Sequence, residues 1–253
     1  MLQFHEVCAR YGEKEVLHNV SFTLRPHRLT VLLGRNGSGK STLLRCLNQE
    51  LPYTGAITEG EKNLALMSAR DRAKTVALLP QTIPAPHITA WEMAAFGRTP
   101  YLDLTGRLGE KDREAVKKGL EDADAWELRD RFVDTLSGGE RQRVSLAMIL
   151  AQNTPIAALD EPTSHMDQSY EAAFLRQLTA IKRSRKKTFL VILHDLTLAA
   201  EFADDLVVLD GGRAVFAGAK EDCLKAGVLE ETFDVKCYKI VDNGEEKLFF
   251  AAK

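Results

Sequence analysis

The sequence lacks several features that mark whole classes of proteins. Among its 253 residues, 34 basic side chains nearly balance 36 acidic ones, so nothing indicates a broad nucleic-acid-binding surface. No uncharged apolar run is long enough to span a bilayer. The first residues, MLQFHE, lack the pattern of a signal peptide. Internal repeats and low-complexity tracts are also missing. We therefore expect one globular domain that stays in the cytoplasm.

Cysteine is scarce, and its spacing argues against two of its special roles. Cys8, Cys46, Cys223 and Cys237 show none of the close-paired spacings that bind metals. Disulfides are rare in the reducing cytoplasm. We therefore predict four reduced thiols that pack inside the protein.

One basic run stands out, at residues 182–187 with the sequence KRSRKK. It lies between a predicted helix and a predicted strand. A solvated loop is the first interpretation of such a run, and contact with anionic lipid is the alternative.

Residues 34–41, GRNGSGKS, fit the pattern G-x-x-x-x-G-K-[ST] of a phosphate-binding loop. The apolar run at 31–33 predicts a buried parallel strand before it, and residues 42–47 predict a helix whose N-terminus faces an anion. The glycines let backbone N–H groups approach a phosphate. Lys40 is expected to contact the β and γ phosphates of a nucleotide, and Ser41 to offer its hydroxyl to Mg²⁺. A plain glycine turn is the alternative.

Further polar residues follow three predicted buried strands. Asp160 and Glu161 follow the apolar run 156–159, His194 follows 189–193, and Gln81 follows 76–79 after a proline. Ligands of open α/β sheets bind at such strand ends. We expect Asp160 to help hold Mg²⁺, Glu161 to polarise the attacking water, His194 to contact the γ-phosphate, and Gln81 to reach both metal and water. Each residue taken alone has a structural explanation, and only their shared position makes the set informative.

A second glycine-rich loop, Leu136-Ser137-Gly138-Gly139-Glu140, precedes a helix-like stretch. A serine and glycine N–H groups at a helix N-terminus make a second anion site. Because the chain has one phosphate-binding loop, this second site is expected to bind the γ-phosphate of ATP held by another chain. The alternative is that Ser137 is simply the N-cap of the helix. Both interpretations can hold at once.

The order of these motifs is similar to that of the ABC ATPase family, over nearly the whole chain. The resemblance implies that Tyr11 stacks on adenine, although it could be a strand-end tyrosine, and that Asp167 links two sites across a dimer. It implies ATP and Mg²⁺ as cofactors, with Ser41, Gln81 and Asp160 for the metal and Gln81, Glu161 and His194 for catalysis. The expected nucleotide-binding residues are Tyr11, Gly34, Arg35, Asn36, Gly37, Ser38, Gly39, Lys40, Ser41, Thr42, Ser137, Gly138, Gly139 and Asp167. Departures from the family pattern are His165-Met166 and Met148, the latter in place of an expected arginine.

A finer resemblance concerns residues 86–113. The segment from Ile88 to Met93, the stretch Gly97-Arg98-Thr99-Pro100-Tyr101, and Ala151-Gln152 look like ATPases of the importers for ferric siderophores, haem and cobalamin. Thr89 and Glu92 form a capping-box pattern that starts a short helix. Residues 85–91 would line a groove for a helix of a membrane subunit. An ordinary helical insertion is the alternative.

The predicted fold class is α/β: a P-loop NTPase (RecA-like) core with an N-terminal antiparallel β subdomain and an inserted helical subdomain. Alternation of Val20, Phe22 and Leu24 with polar residues predicts a half-buried strand. Residues 1–84 and 151–226 are assigned to the core with its β subdomain, 85–150 to the helical signature subdomain, and 227–253 to a C-terminal extension. Hairpins are expected at Asp210-Gly211-Gly212 and at Asn243-Gly244.

The resemblance implies an ATP-hydrolysing subunit of an importer for a ferric siderophore, haem or cobalamin-type substrate. Its expected partners are a second copy of itself, integral membrane permease subunits and, indirectly, a substrate-binding protein, with no nucleic acid. The expected location is peripheral, at the cytoplasmic face of the inner membrane. The alternatives are the ATPase of another transporter class, such as an exporter or a small-ion importer, and a soluble ABC ATPase outside transport.

Overall fold

The computed structural model describes residues 1–103, 105–164, 166–242 and 245–253. Its strands are β1 (Leu2–Tyr11), β2 (Lys14–Leu24), β3 (Leu29–Gly34), β4 (Tyr53–Glu59), β5 (Lys62–Asn63), β6 (Val76–Leu79), β7 (Ile156–Leu159), β8 (Thr188–Ile192), β9 (Asp205–Asp210), β10 (Arg213–Ala219), β11 (Val235–Asp242) and β12 (Glu245–Ala252). Its α-helices are α1 (Lys40–Leu47), α2 (Ala69–Thr75), α3 (Ala90–Ala95), α4 (Glu110–Asp122), α5 (Gly138–Ala151), α6 (Gln168–Arg185), α7 (Leu196–Phe202), α8 (Lys220–Lys225) and α9 (Val228–Phe233). Short 3₁₀ turns lie at Leu64–Leu66, Phe96–Tyr101, Trp126–Leu128 and Val133–Thr135.

The chain divides into two compact units, Met1–Leu66 with Thr188–Lys253, and Met67–Lys187. The first unit begins with an antiparallel sheet in the order β2-β1-β4-β5. Along β2, Val20, Phe22 and Leu24 are buried and alternate with exposed residues, so the predicted half-buried strand is confirmed. Phe4 of β1 stacks on Phe22, with ring centroids 4.3 Å apart. This stack anchors the buried face of the sheet.

The first unit also contains strands in the order β10-β9-β3-β8. Strand β3 pairs in parallel with β8 and with β9, and all six of its residues are buried. A parallel strand covered on both faces reads as a continuous apolar run, which is why residues 31–33 could be recognised. The hairpin predicted at 210–212 joins β9 to β10 and is confirmed. Strands β11 and β12 pair as expected, whereas the predicted turn residues Asn243 and Gly244 lie outside the described residues.

The second unit contains the parallel pair β6 and β7 and most of the helices. Helices α4 and α5 approach each other closely because Gly119 has no side chain: a Cβ there would lie 2.7 Å from the Ala147 carbonyl oxygen. Val116 and Leu120 of α4 are fully buried, and so is Ala123 just past its end. The predicted helical spacing of these three residues therefore marks the packed face of α4.

The segment 97–101, which resembles the importer ATPases, holds helices of this unit together through Gly97, Arg98 and Tyr101. A Cβ at Gly97 would lie 2.1 Å from the Met148 carbonyl oxygen, so only glycine fits against α5. Arg98 is buried and donates to the Ala151 carbonyl at 2.7 Å and to Asp112 at 3.0 Å. Its guanidinium lies 3.8 Å from the ring centroid of Tyr101. One buried cation thus ties together a 3₁₀ turn, α4 and the end of α5.

The basic run 182–187 was wrongly predicted as a solvated loop. Helix α6 continues to Arg185, and Lys182 and Lys187 are buried. Lys187 Nζ donates to the carbonyl oxygen of buried Thr154 at 2.5 Å. A lysine can be buried when its stem packs on apolar surface and its amine finds an acceptor.

The predicted subdomain boundaries at 84/85, 150/151 and 226/227 stay a prediction. The two compact units divide at 66/67 and 187/188. All four cysteines are free thiols. Burial raises the pKa of both Cys46 and Cys223 to about 12, so these two thiols are unreactive at neutral pH. Within the described ranges, no helix combines the length and apolar character needed to cross a bilayer.

Candidate nucleotide site

The glycine-rich loop of the first unit runs from the end of β3 to the start of α1. Gly37 and Gly39 have φ angles of +81° and +101°, a region that glycine adopts readily and other residues rarely do. At Gly34 the restriction is steric, since a Cβ would lie 2.3 Å from Ser38 Oγ and 2.5 Å from the Leu209 carbonyl oxygen. The loop conformation therefore depends on its glycines.

The interior of this loop fits an anion. Lys40 is buried, and its Nζ donates to the carbonyl oxygens of Gly34 at 2.8 Å and Arg35 at 3.3 Å. Ser38 Oγ is buried and has no hydrogen-bond partner among the described residues. A buried hydroxyl without a partner and a buried ammonium are both satisfied by phosphate oxygens. Helix α1 begins at Lys40, so its N-terminal N–H groups add to the positive field.

Two more predicted residues of the first unit lie on elements that flank the loop. Tyr11 ends β1, is 43% exposed, and accepts a hydrogen bond from Arg45 of α1 at 3.2 Å. His194 is exposed two residues after the end of β8. Leu32 of β3 is in register with Ile192 of β8, so Gly34 and His194 follow that pair by two residues at one sheet edge.

The second unit brings Gln81 and Glu161 together. Leu79 of β6 is in register with Leu159 of β7, and each strand is followed two residues later by one of these side chains. Gln81 Nε2 donates to Glu161 Oε2 at 2.6 Å. The backbone N–H of Asp160 donates to the Leu79 carbonyl at 2.9 Å. Gln81, Asp160 and Glu161 therefore lie together just after the carboxyl ends of β6 and β7.

The backbone at Glu161 is strained, with a φ of +45°. Glycine visits this left-handed region freely, whereas a side chain there costs about 1–2 kcal/mol. The Ser164 N–H donates to the Glu161 carbonyl at 3.1 Å and holds the turn that contains it. The unusual conformation directs the carboxylate toward the Gln81 amide.

The second glycine-rich loop starts α5, and Ser137 is its N-cap, as one of the two interpretations predicted. Ser137 Oγ accepts from the Glu140 N–H at 3.3 Å, while the Ser137 N–H and Oγ both donate to the Glu140 carboxylate at 2.8 Å. The hydrogen bond from the Ser137 N–H is the main cause that lowers the pKa of Glu140. Arg131 also pairs with Glu140, at 2.6 Å. The loop is thus held by a capping box with an ionised carboxylate.

The loop that carries Asp167 lies close to this second glycine-rich loop. Asp167 is the N-cap of α6 and accepts from the Tyr170 N–H at 2.8 Å. The hydroxyl of Ser169 is the main cause that lowers the pKa of Asp167. Tyr170 Oη donates to the Gly139 carbonyl at 2.7 Å. Tyr170 had no role in the sequence-based hypothesis, because a single tyrosine in an amphipathic helix carries no signal of its distant partner.

The segment 85–91 is only partly available to a partner. The predicted capping box between Thr89 and Glu92 is confirmed. Ala90 is fully buried, so it faces the interior and cannot line a groove. His87 is 72% exposed, stacks on Phe132 with centroids 4.2 Å apart, and has Nδ1 2.9 Å from Asp134 Oδ2.

Of the two family departures, Met148 packs its backbone against Gly97, and His165 lies outside the described residues.

These features define a P-loop nucleotide-binding fold with a glycine-rich anion loop, an acid–amide pair after parallel strands, and a second loop at a helix N-terminus. The family model for ABC transporters matches residues 17–164, more than half of the chain. The chain belongs to the ABC transporter family.

Two curated relatives and one solved structure are similar to this chain over most of its length. The chain is 39% identical to the hemin import ATP-binding protein HmuV of Pseudomonas fluorescens (strain Pf0-1), over 93% of both sequences. It is 35% identical to the ferric enterobactin transport ATP-binding protein FepC of Escherichia coli (strain K12), over 95% of this chain and 90% of that protein. A crystal structure of an ATP-binding cassette of an ABC transporter in its ADP conformation superposes with a TM-score of 0.81. That cassette is 23% identical, and the match covers 92% of this chain and 98% of that one.

Proposed function

We propose that this chain is the ATP-binding and ATP-hydrolysing subunit of an importer. The proposed substrate is a metal chelate, namely a ferric siderophore, haem or a cobalamin-type compound. The observation that carries hydrolysis is the 2.6 Å hydrogen bond from the Gln81 amide to the Glu161 carboxylate. The importer class is supported by the hemin and ferric enterobactin relatives, which match nearly the full chain.

In this proposal ATP is bound by residues 34–42, with Lys40 and the loop N–H groups on the phosphates and Tyr11 against adenine. Lys40 exchanges the carbonyl oxygens of Gly34 and Arg35 for phosphate oxygens, which are stronger acceptors because they are charged. Tyr11 is partly exposed, which allows contact with a base, and its hydroxyl is held by the hydrogen bond from Arg45.

Hydrolysis is assigned to Glu161, with Gln81 and His194 as supporting residues. Glu161 accepts a proton from the attacking water, Gln81 holds the carboxylate and the water, and His194 contacts the γ-phosphate. Mg²⁺, when bound with ATP, offsets charge on the β and γ phosphates, and Ser41, Gln81 and Asp160 would hold it. Hydroxyl, amide and carboxylate oxygens are the donors that this cation prefers.

The proposal includes a head-to-tail homodimer. One chain carries one phosphate-binding loop and one Ser137 loop, and each complete site needs both. A twofold axis pairs Lys40 of one copy with Ser137 of the other, and the reverse. Asp167, the N-cap of α6, is proposed to link the two sites across this dimer. Closure on ATP and reopening after hydrolysis supply the motion that drives transport.

Integral membrane permease subunits are the proposed partners for that motion, and a substrate-binding protein acts through them. His87 and Phe132 form an exposed aromatic pair beside α3 that suits a helix of such a subunit. The proposed location is peripheral, on the cytoplasmic face of the inner membrane. Another ABC transporter class uses the same fold, so recovery of the chain with an iron-chelate permease is the test of importer class.

The dimer is tested with Glu161→Gln, which keeps the side-chain shape but removes the carboxylate base. A general base contributes about 10²–10⁴ in rate, so turnover should nearly stop while ATP still binds. Gel filtration with Mg-ATP should show a dimer that is absent with ADP or without nucleotide. Adding Ser137→Arg should abolish the dimer by filling the γ-phosphate site.

Ser137→Ala provides the matched control. Both substitutions remove the N-cap of α5, at about 1 kcal/mol, but only arginine fills the site. The Ala variant in the Glu161→Gln background should therefore dimerise more readily than the Arg variant. If the Arg variant dimerises as well as the Glu161→Gln parent, Ser137 does not face the partner's nucleotide and the composite site is wrong.

A further inference from the structure

Tyr170 joins two segments that the proposed function places in the dimer interface. Its hydroxyl donates to the Gly139 carbonyl at 2.7 Å, and its backbone N–H donates to Asp167 Oδ1 at 2.8 Å. The two partners, Gly139 and Asp167, lie in the Ser137 loop and in the N-cap of α6. One residue therefore holds both segments, through its side chain and its backbone.

The contact at Gly139 is steric as well as polar. A Cβ at Gly139 would lie 2.8 Å from Tyr170 Cε2 and 3.1 Å from Cζ, so the ring is pressed against the glycine backbone. A glycine is needed here because the tyrosine occupies the space of a side chain. Burial raises the pKa of Tyr170, so its hydroxyl stays protonated and remains a donor at neutral pH.

Apart from the bond to Tyr170, the hydrogen bonds and ion pairs of the Ser137 loop within the described part of the chain join residues close in sequence. The capping box joins Ser137 to Glu140, and Arg141 donates to the Leu136 carbonyl at 3.3 Å. Arg131, nine residues before Glu140, completes this set. Such bonds fix the shape of the loop but not its position relative to α6. Tyr170 lies 31 residues from Gly139, and its hydroxyl donates a hydrogen bond that reaches this loop from α6. Met166 also lies near the loop, since a Cβ at Gly138 would be 3.4 Å from its Cε, but it makes no directional bond there among the described residues.

We infer that Tyr170 is a positioning residue that couples the Ser137 loop to Asp167, the N-cap of α6. This inference rests on the proposed function, in which both segments meet nucleotide across the dimer. In this scheme a rotation of α6 at its N-cap moves the tyrosine ring. The ring in turn moves the backbone of Gly138 and Gly139, whose N–H groups are proposed to face the partner's γ-phosphate. Tyr170 itself touches no nucleotide in this scheme.

The test substitutes Tyr170→Phe, which keeps the ring against Gly139 and removes only the hydrogen bond. In the Glu161→Gln background, sedimentation analysis with Mg-ATP measures the dimer dissociation constant. Because this hydrogen bond lies within each copy, its loss weakens the dimer only by as much as the bond holds the loop in the geometry that binds the partner's nucleotide. The dimer dissociation constant should therefore rise, and one bond at each of two sites sets an upper limit of about a hundredfold. ATP binding is measured separately in a Ser137→Arg chain that cannot dimerise, and there Tyr170→Phe should leave the ATP dissociation constant unchanged.

Tyr238→Phe is the matched control, since Tyr238 is an exposed tyrosine of β11. It should change neither constant. Equal dimer constants for Tyr170→Phe and its parent overturn the positioning role alone. Weakened ATP binding by the chain that cannot dimerise also overturns it, because the effect would then be general. A Glu161→Gln parent that never dimerises instead overturns the composite site, and this inference with it.

Discussion

The buried ammonium of Lys187 should make the stability of this protein rise with pH. Lys187 is 2% exposed, and its Nζ donates to the Thr154 carbonyl. Burial, with a smaller contribution from the positive charge of Arg185, lowers the pKa of Lys187 from 10.5 to about 7. Between these two values the unfolded chain binds more protons than the native one, so unfolding becomes less favourable as pH increases.

The size of the effect follows from the two pKa values. At pH 7 the buried amine destabilises the native state by about 4 kcal/mol relative to a freely solvated lysine, and at pH 9 by about 2 kcal/mol. Lys187→Met removes the titrating group but keeps a long apolar stem. The Thr154 carbonyl loses the same donor at both pH values, so that loss cancels when the pH dependence is compared.

The assay is thermal unfolding of wild type and Lys187→Met at pH 7 and pH 9. The melting temperature of wild type relative to the variant should rise by about 4–8 °C between these pH values, given about 2–4 °C per kcal/mol for a chain of this size. Arg183→Met, an exposed position in the same helix, should show no such change. If wild type and Lys187→Met differ by the same amount at both pH values, the reasoning is refuted, since the amine would then be solvated.

Three further substitutions test the fold and the site. Lys40→Ala should weaken ATP binding by about ten- to a hundredfold in calorimetry, because a charge-assisted contact is worth roughly 1.5–3 kcal/mol; unchanged binding contradicts the loop assignment. Tyr11→Ala should weaken purine triphosphates through lost stacking, and equal affinity would leave Tyr11 as a strand-end residue. Gly97→Ala should lower thermal stability by about 1–3 kcal/mol through the clash with the Met148 carbonyl; a variant that melts with wild type would show that the backbone shifts freely.

The sequence predicted the features whose physical cause is local. The strand before Gly34 is an unbroken apolar run, and the Thr89 and Ser137 caps are four-residue patterns. Even the approach of Gln81 to Glu161 could be expected, because both follow buried parallel strands by two residues. In these cases the order of the elements along the chain and the periodicity of apolar residues determine which groups lie at the same edge of the sheet.

Other contacts depend on side chains that are far apart in the chain. Arg98 reaches the Ala151 carbonyl across 53 residues, and Lys187 reaches Thr154 across 33. No periodicity or turn rule selects such partners, since they exist only after the helices have packed. The basic run was wrongly interpreted for the same reason: charge favours solvent only until a buried acceptor is available.

At Glu161 the residue that would make the fold most stable differs from the residue that the proposed hydrolysis needs, because the backbone there is left-handed. For stability alone, glycine would be preferred there, because it relieves about 1–2 kcal/mol of strain. The chain instead carries the carboxylate that we propose as the base. Variants selected only for resistance to heat would therefore be drawn toward losing that group, and a heat-stable descendant of this protein could keep its fold and lose its turnover.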